Sequence, residues 1–144
     1  MSVNVEILII SPNTCNDLNS LNLNKFRYVK SIEIGNDCLE NVNEFNIDGL
    51  NELKSLRIGI NSFTKKKNGS GNDSSRSFHI SNCIELESIE IGIYSFSDYG
   101  GLFELSNLPS LSTIRIGENG DYSFNFYYSS FEIKGILDVF IDNE

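Results

Sequence analysis

The chain has 144 residues, enough for one domain with a sizeable core, and its 20 acidic and 11 basic side chains give a formal net charge of −9. This acidic balance argues against a phosphate backbone or an anionic lipid surface as the partner, so we expect neither nucleic-acid nor membrane binding. The sequence has no tryptophan and no alanine but many serines, asparagines and isoleucines, which argues against an all-helical fold and favours strands and turns.

A pair of apolar residues separated by one residue recurs along the chain, at spacings of 25, 24, 33, 25 and 25 residues. The two apolar side chains of such a pair point to one face of a strand, and the residue between them points to the other. Recurrence at this period predicts a mainly β solenoid of about five to six coils with a parallel sheet on one face. The pairs are Ile7/Ile9, Ile32/Ile34, Leu56/Ile58, Ile89/Ile91, Ile114/Ile116 and Val139/Ile141.

A second apolar pair precedes each main strand from the second coil onward and shows the same alternation. We expect it to form a shorter strand or an extended segment on the opposite wall. A glycine follows each of the four middle main strands, and we interpret it as a bend that requires no side chain rather than as a ligand loop. The second pairs are Leu21/Leu23, Phe45/Ile47, Phe78/Ile80, Phe103/Leu105 and Phe131/Ile133, and the glycines are Gly35, Gly59, Gly92 and Gly117.

Two copies carry a longer motif. Leu53-x-x-Leu56-x-Ile58-x-x-Asn61-x-Phe63 follows the spacing L-x-x-L-x-L-x-x-N-x-L throughout, and the copy that begins at Leu111 follows it as far as Asn119. These residues resemble the leucine-rich repeat family, and the Ile-Gly-x-x-Ser-Phe runs at 58–63 and 91–96 are similar to its BspA-like subgroup. The resemblance covers residues 5–142 and implies a curved solenoid with parallel strands along one face. It does not imply a particular ligand.

The residues between the inward pairs should form an outward column on the main sheet. In chain order they are Leu8, Glu33, Arg57, Glu90, Arg115 and Phe140, and the column beside them holds Ser31, Ser55, Ser88 and Thr113. The four central charges alternate in sign, so one interpretation is an exposed charge ladder that contributes about 0–1 kcal/mol per pair. The other is a polar strip for protein recognition. The candidate partner-binding residues are Glu33, Arg57, Glu90, Arg115, Ser55 and Ser88.

The one long spacing holds a polar segment, residues 64–75. We expect a single domain, 1–144, with a loop insertion there, because lengthening a surface loop costs little free energy. Lys65–Lys67 form the only basic cluster, which we interpret as part of a solvated loop rather than as an anion site. The aromatic segment 122–128 either continues the apolar interior beyond Phe63 and Phe96 or, where it is exposed, offers a contact patch.

Catalytic and metal motifs are absent from the sequence. Cys15, Cys38 and Cys83 are irregularly spaced, so we expect reduced thiols, and Cys83 occupies a core position of its repeat. His79 is the single histidine and has no acid close in sequence, so we expect an incidental surface position. No phosphate loop, dinucleotide fingerprint or nucleophile elbow occurs. We therefore expect a non-enzymatic protein without a metal or cofactor.

These observations favour a repeat module that binds another protein along its main sheet. The alternative is a structural building block that self-associates end to end, because no cap is evident before Ile7 or after Ile141. For the same reason we expect either a longer repeat protein or end coils covered by a second copy. The first residues lack a basic or apolar export segment, so the default expectation is a cytoplasmic protein.

Overall fold

The main strands form one parallel sheet, as the repeat predicts. The computed structural model describes residues 4–117, 123–136 and 140–143 and shows a β-solenoid of about five turns. Each strand pairs in parallel with the strand one coil away, in the order β1-β2-β4-β6-β8-β10. The strands of this first sheet are β1 (Ile7–Ile10), β2 (Ser31–Ile34), β4 (Ser55–Ile58), β6 (Ser88–Ile91), β8 (Thr113–Ile116) and β10 (Phe140–Asn143).

A second parallel sheet forms the opposite wall. Its strands are β3 (Glu44–Asp48), β5 (Ser77–Ser81), β7 (Leu102–Ser106) and β9 (Ser130–Lys134), paired in that order. The expectation of a second strand is confirmed for four coils, but these strands have five residues and are not shorter than the four-residue main strands. The first coil differs, because a single 3₁₀ turn, Leu23–Lys25, lies where a strand was expected around Leu21 and Leu23.

Inward side chains of successive coils form continuous columns. Ile32, Leu56, Ile89 and Ile114 are in register and buried, and so are the residues of the second column. On the opposite wall, the Phe78 ring stacks on those of its neighbours in β3 and β7 at 4.8 and 4.9 Å between centroids. The core therefore lies between the two sheets, and each coil buries the apolar face of the next. The second column consists of Ile34, Ile58, Ile91 and Ile116.

Truncating one of these inward side chains should lower the free energy of unfolding substantially. Ile89 is 1% exposed and lies between Leu56 and Ile114. We expect Ile89→Ala to lower the free energy of unfolding by about 2–5 kcal/mol, because the coils above and below cannot close the cavity. Urea denaturation of the variant and the wild type measures this difference. A loss below about 1 kcal/mol would mean that this column is not packed as described.

A tight corner follows each of the first five main strands. At this corner two residues with left-handed φ flank one central residue, as in Asn61-Ser62-Phe63, where φ is 61° and 57° at the outer positions. At three of these corners the central side chain donates a hydrogen bond to the glycine carbonyl of the preceding coil: Ser62 to Gly35 at 2.7 Å, Asn125 to Gly92 at 2.7 Å, and Ser95 to Gly59. These bonds between coils hold backbone conformations that cost about 1–2 kcal/mol per residue when a β-carbon is present.

The glycines after the main strands allow close approach between coils. A β-carbon on Gly92 would lie 2.6 Å from the carbonyl carbon of Gly59, and one on Gly59 would lie 2.9 Å from the backbone nitrogen of Asn36. Gly117 alone among the four has a left-handed φ, of 77°. Three of these positions therefore exclude a side chain through contact with the preceding coil, which adds a second reason for glycine at the expected bend.

The register of both terminal strands differs from the expectation. Leu8 and Ile10, not Ile7 and Ile9, pair with Ile32 and Ile34 and pack against the core. At the other end, Ile141 is in register with Ile114, so Asp142 rather than Phe140 aligns with Arg115. Val139 lies outside the described residues. Ile7–Ile10 is apolar at every position, so alternation could not fix its register, and a shift of one residue exchanges the two faces.

The insertion forms turns and bends, as expected, except for one isolated bridge from Asp73 to Tyr99. Its lysines are exposed, but Thr64 is fully buried. Arg76, directly after the insertion, is also buried, and its guanidinium lies 3.4 Å from the Asp98 carboxylate. Among the described residues, no helix has the length and apolar character needed to span a bilayer.

Candidate functional site

The four charged candidate residues lie side by side on the outer face of the first sheet. Glu33, Arg57, Glu90 and Arg115 are in register on consecutive strands. Arg57 lies 3.9 Å from Glu33 and 3.4 Å from Glu90, and Arg115 lies 3.6 Å from Glu90. Glu33, Arg57 and Arg115 remain exposed and Glu90 is half-buried, so each pair contributes about 0–1 kcal/mol to stability. The alternation predicted from the sequence therefore forms a charge ladder that an incoming partner can reach.

The two candidate serines lie in the column beside the ladder. Ser55 and Ser88 are in register with each other and with Ser31 and Thr113 on the flanking strands. All four side chains are small and only half-buried. They leave the surface beside the ladder low, so the longer charged side chains project above it. The structure thus brings all six candidate residues onto one continuous surface.

A depression of about 340 Å³ opens at the β1 end of this surface. Ile9, Pro12, Glu33 and Arg57 line it, together with glycines that follow the strands. It therefore combines apolar walls with one acid and one base. Such a combination suits an apolar anchor residue of a protein partner with a polar group beside it.

Ile7 and Ile9 are the residues of this surface that sequence reasoning missed. They are 64% and 63% exposed, and their Cα partners on β2 are Ser31 and Glu33. Strands β2, β4, β6 and β8 each carry serine or threonine at the first of these two outward positions and a charged residue at the second. An all-apolar edge strand is unusual on a free surface and suggests that a partner covers it. The signal in the sequence was the unbroken apolar run at 7–10, which alternation alone could not assign to a face.

The single histidine lies on the second sheet and has close polar neighbours. Nδ1 of His79 is 3.0 Å from Oε1 of Glu104, its partner across the strands, and Nε2 is 3.1 Å from Oγ of Ser77. The expectation of an incidental surface position is therefore wrong, because the neighbouring strand supplies an acid that is distant in sequence. A hydrolytic relay also needs N–H groups directed at an oxyanion, and the Ser77 N–H already donates to Asn43 O at 2.9 Å. We interpret this cluster as structural, because the contact between His79 and Glu104 links two neighbouring coils.

The three cysteines are free thiols with different exposure. Cys38 and Cys83 are fully buried, whereas Cys15 is half-buried. The interpretation of Cys83 as a core residue is confirmed, and burial raises the pKa of its thiol. Since only the thiolate reacts, burial and the raised pKa both slow this group.

This difference predicts the reactivity of the thiols toward Ellman's reagent at pH 8. We expect Cys15 to react first in the native protein, and Cys38 and Cys83 at least about tenfold more slowly, through transient opening. In denaturant all three should react at similar rates. Mass spectrometry of partly labelled protein assigns each site, and fast labelling of Cys83 in the native state would contradict its buried position.

The aromatic segment divides between core and surface. Phe126 is buried and stacks on Phe96 at 4.9 Å, which continues the apolar interior as expected. Tyr127 and Tyr128 are 60% and 49% exposed and are the part that could serve as a contact patch. Tyr122 lies outside the described residues.

Within the part of the chain that the structure describes, no three histidine, cysteine or carboxylate side chains come together as metal ligands would. Comparison with known proteins gives no assignment. No family model, no curated protein and no solved structure matches the chain.

Proposed function

We propose that this chain is a non-enzymatic module of the leucine-rich repeat type that binds another protein through the outer face of its first sheet. The observation that carries the proposal is the continuity of three features on one face. These are the exposed apolar edge of Ile7 and Ile9, the depression beside it, and the charge ladder from Glu33 to Arg115.

Each feature has a separate role in the proposed contact. The apolar edge and the depression provide area that a partner can remove from water, at about 25 cal/mol per Å². The ladder is balanced in charge, so it aligns a partner with its own alternating charges but attracts no ion strongly. The side chains of the serine column are short, so the partner's backbone or side chains can approach the sheet there.

Substitution of one serine tests the proposal. Ser88→Arg places a long side chain on the face without touching the core, and Ser106→Arg does the same on the second sheet as a matched control. Proteins retained from an extract of the source cells by the wild type should also be retained by Ser106→Arg. The retained amount of these proteins, quantified by mass spectrometry, should fall at least about tenfold with Ser88→Arg and with Ile9→Asp. Equal retention by Ser88→Arg would contradict a role for this face.

A second candidate function is end-to-end self-association, which the last described coil of the second sheet favours. Phe131 and Ile133 are in register with Phe103 and Leu105, yet they are 56% and 44% exposed. Their expected position on the second wall is confirmed, but the further coil that would bury them is not among the described residues. A second copy could supply that cover by placing its first coil against this end.

Sedimentation velocity across a hundredfold range of concentration distinguishes the two functions. Stacking predicts oligomers whose size increases with protein concentration and that do not form in Phe131→Asp or Ile9→Asp. The binding module predicts a monomer at every concentration. Phe131→Asp should then leave partner retention unchanged.

A further inference from the structure

Strand β3 forms the edge of the second sheet that faces the first coil. In that coil a 3₁₀ turn, Leu23–Lys25, replaces the strand that would otherwise pair with it. The carboxamide of Asn24 pairs with part of this edge. Its Oδ1 accepts a hydrogen bond from the Asp48 N–H at 2.9 Å, and its Nδ2 approaches the Asn46 carbonyl at 3.5 Å. A side-chain amide thus takes the place of one peptide group of a missing strand.

The backbone bonds of β3 show which of its groups point away from the sheet. The Asn43 carbonyl accepts from Ser77 N–H, and Gly49 N–H donates to Ser81 O, so the odd-numbered residues face β5. In a parallel sheet the N–H and C=O of one residue point to the same side, and the side alternates along the strand. Glu44, Asn46 and Asp48 therefore face outward from the edge, in agreement with the two contacts of Asn24.

Asn24 satisfies only the C-terminal half of this edge. Among the described residues, neither the N–H of Asn46 nor the N–H and C=O of Glu44 has a hydrogen-bond partner. A depression of about 290 Å³ lies against this unsatisfied half. Its lining is mainly asparagine and serine, with Leu21 as an apolar residue and Glu44 as the single charged residue.

We propose that the N-terminal half of the β3 edge binds an extended peptide segment of another protein by strand addition. The unsatisfied groups alternate donor and acceptor at the two-residue repeat of a strand, and an extended backbone presents the same repeat. The uncharged amides of the depression impose no strong sequence preference. Glu44 favours a lysine or arginine in the peptide, in keeping with the acidic net charge of −9.

This inference goes beyond the proposed function, because it concerns the opposite wall and a different kind of contact. The partner of the first sheet is recognised by side chains on a sheet face. The peptide is recognised chiefly by the backbone of an edge strand. Either site can exist without the other.

Proline at position 44 tests the proposal. Glu44→Pro removes the outward N–H and the charge but no hydrogen bond to β5, so the sheet should stay intact, as edge strands tolerate proline. Glu44→Gln is the matched control, because it removes the charge and keeps the N–H. Circular dichroism and the thermal midpoint show whether each variant is folded.

The probe is a phage-displayed library of random seven-residue peptides, selected on the wild-type chain. We expect selected peptides rich in lysine or arginine that bind Glu44→Pro at least about tenfold more weakly than the wild type and Glu44→Gln only a few-fold more weakly. We also expect a bound peptide to slow hydrogen exchange at the Asn46 N–H. Selected peptides that bind Glu44→Pro equally well, or a library that yields no binder specific to the wild type, would overturn the proposal.

Two further results would also overturn it. Protection at Ser55 and Ser88 without protection at Asn46 would place the peptide on the first sheet instead. A change in the sedimentation of the free chain on Glu44→Pro would make a second copy the occupant of the edge. Because partner retention by Ser88→Arg is measured separately, failure here leaves the proposed function to its own test.

Discussion

Replacing Asp98 with alanine is expected to lower the free energy of unfolding by about 3–5 kcal/mol, measured by urea denaturation. The Arg76 guanidinium is fully buried, with Nη1 3.4 Å from Oδ2 of Asp98 and Nη2 bonded to the carbonyls of Glu40 and Val42 at 2.7 and 3.1 Å. Loss of the carboxylate leaves a buried positive charge without its counter-charge. It also removes the acceptor for the Lys65 N–H, which anchors the start of the insertion.

The double variant Arg76→Met/Asp98→Ala is the control for this prediction. Among the described residues, Arg76 Nε and Asp98 Oδ1 have no hydrogen-bond partner, so the pair does not recover its full desolvation cost. Methionine can fill the space over the Tyr99 ring, where the guanidinium carbon now lies 5.0 Å from the ring centroid. We expect the double variant to be more stable than Asp98→Ala alone. A double variant no better than the single one would show that the unpaired charge is not the cause.

Replacing Phe96 with alanine should also cost about 3–5 kcal/mol. Its ring lies between those of Phe63 and Phe126, at 4.6 and 4.9 Å, and meets Phe78 and Tyr99 edge to face at 5.0 and 4.8 Å. This ring joins the aromatic column of the corners to that of the second sheet. Its removal opens a cavity that the rings of three coils border.

Two comparisons sharpen the test. Phe131→Ala removes the same side chain from a position that is 56% exposed, so the expected loss is about 1 kcal/mol. Phe96→Gly should be no less stable than Phe96→Ala, because φ at this residue is 59°, where glycine has no β-carbon penalty. Thermal or urea denaturation compares all three variants. Equal losses at positions 96 and 131 would contradict the difference in packing.

The columns of the solenoid could be predicted because alternation at two residues and recurrence near 25 residues agree. Ile34, Ile58, Ile91 and Ile116 each follow a polar or charged residue, so only one face of their strands can be inward. The same alternation placed the charge ladder. Where it is lost, as at Ile7–Ile10, the prediction of the inward face was wrong, and the exposed apolar edge of the candidate surface was missed.

Contacts between coils were harder to predict because they join residues far apart in sequence. His79 and Glu104 are separated by one coil, so a search at that spacing could have paired them. Arg76 and Asp98 gave no such signal, because the pair forms where the insertion interrupts the repeat. The strand missing from the first coil also lacked a signal, since Leu21 and Leu23 alternate like their counterparts. A 3₁₀ turn lies there instead, and the side chain of its Asn24 pairs with β3.

Disulfide mapping of the double variant Arg57→Cys/Glu90→Cys tests most directly that successive coils stack in register across the insertion. These positions are 33 residues apart in sequence but are direct partners on β4 and β6. Neighbouring strands lie about 4.8 Å apart, within the span of a disulfide. We predict a 57–90 bond in the oxidised monomer and none in the control Arg57→Cys/Glu104→Cys, whose second cysteine lies on the other sheet. Failure of the 57–90 bond to form, or equal bonding in the control, would contradict the stacked coils and the binding surface built on them.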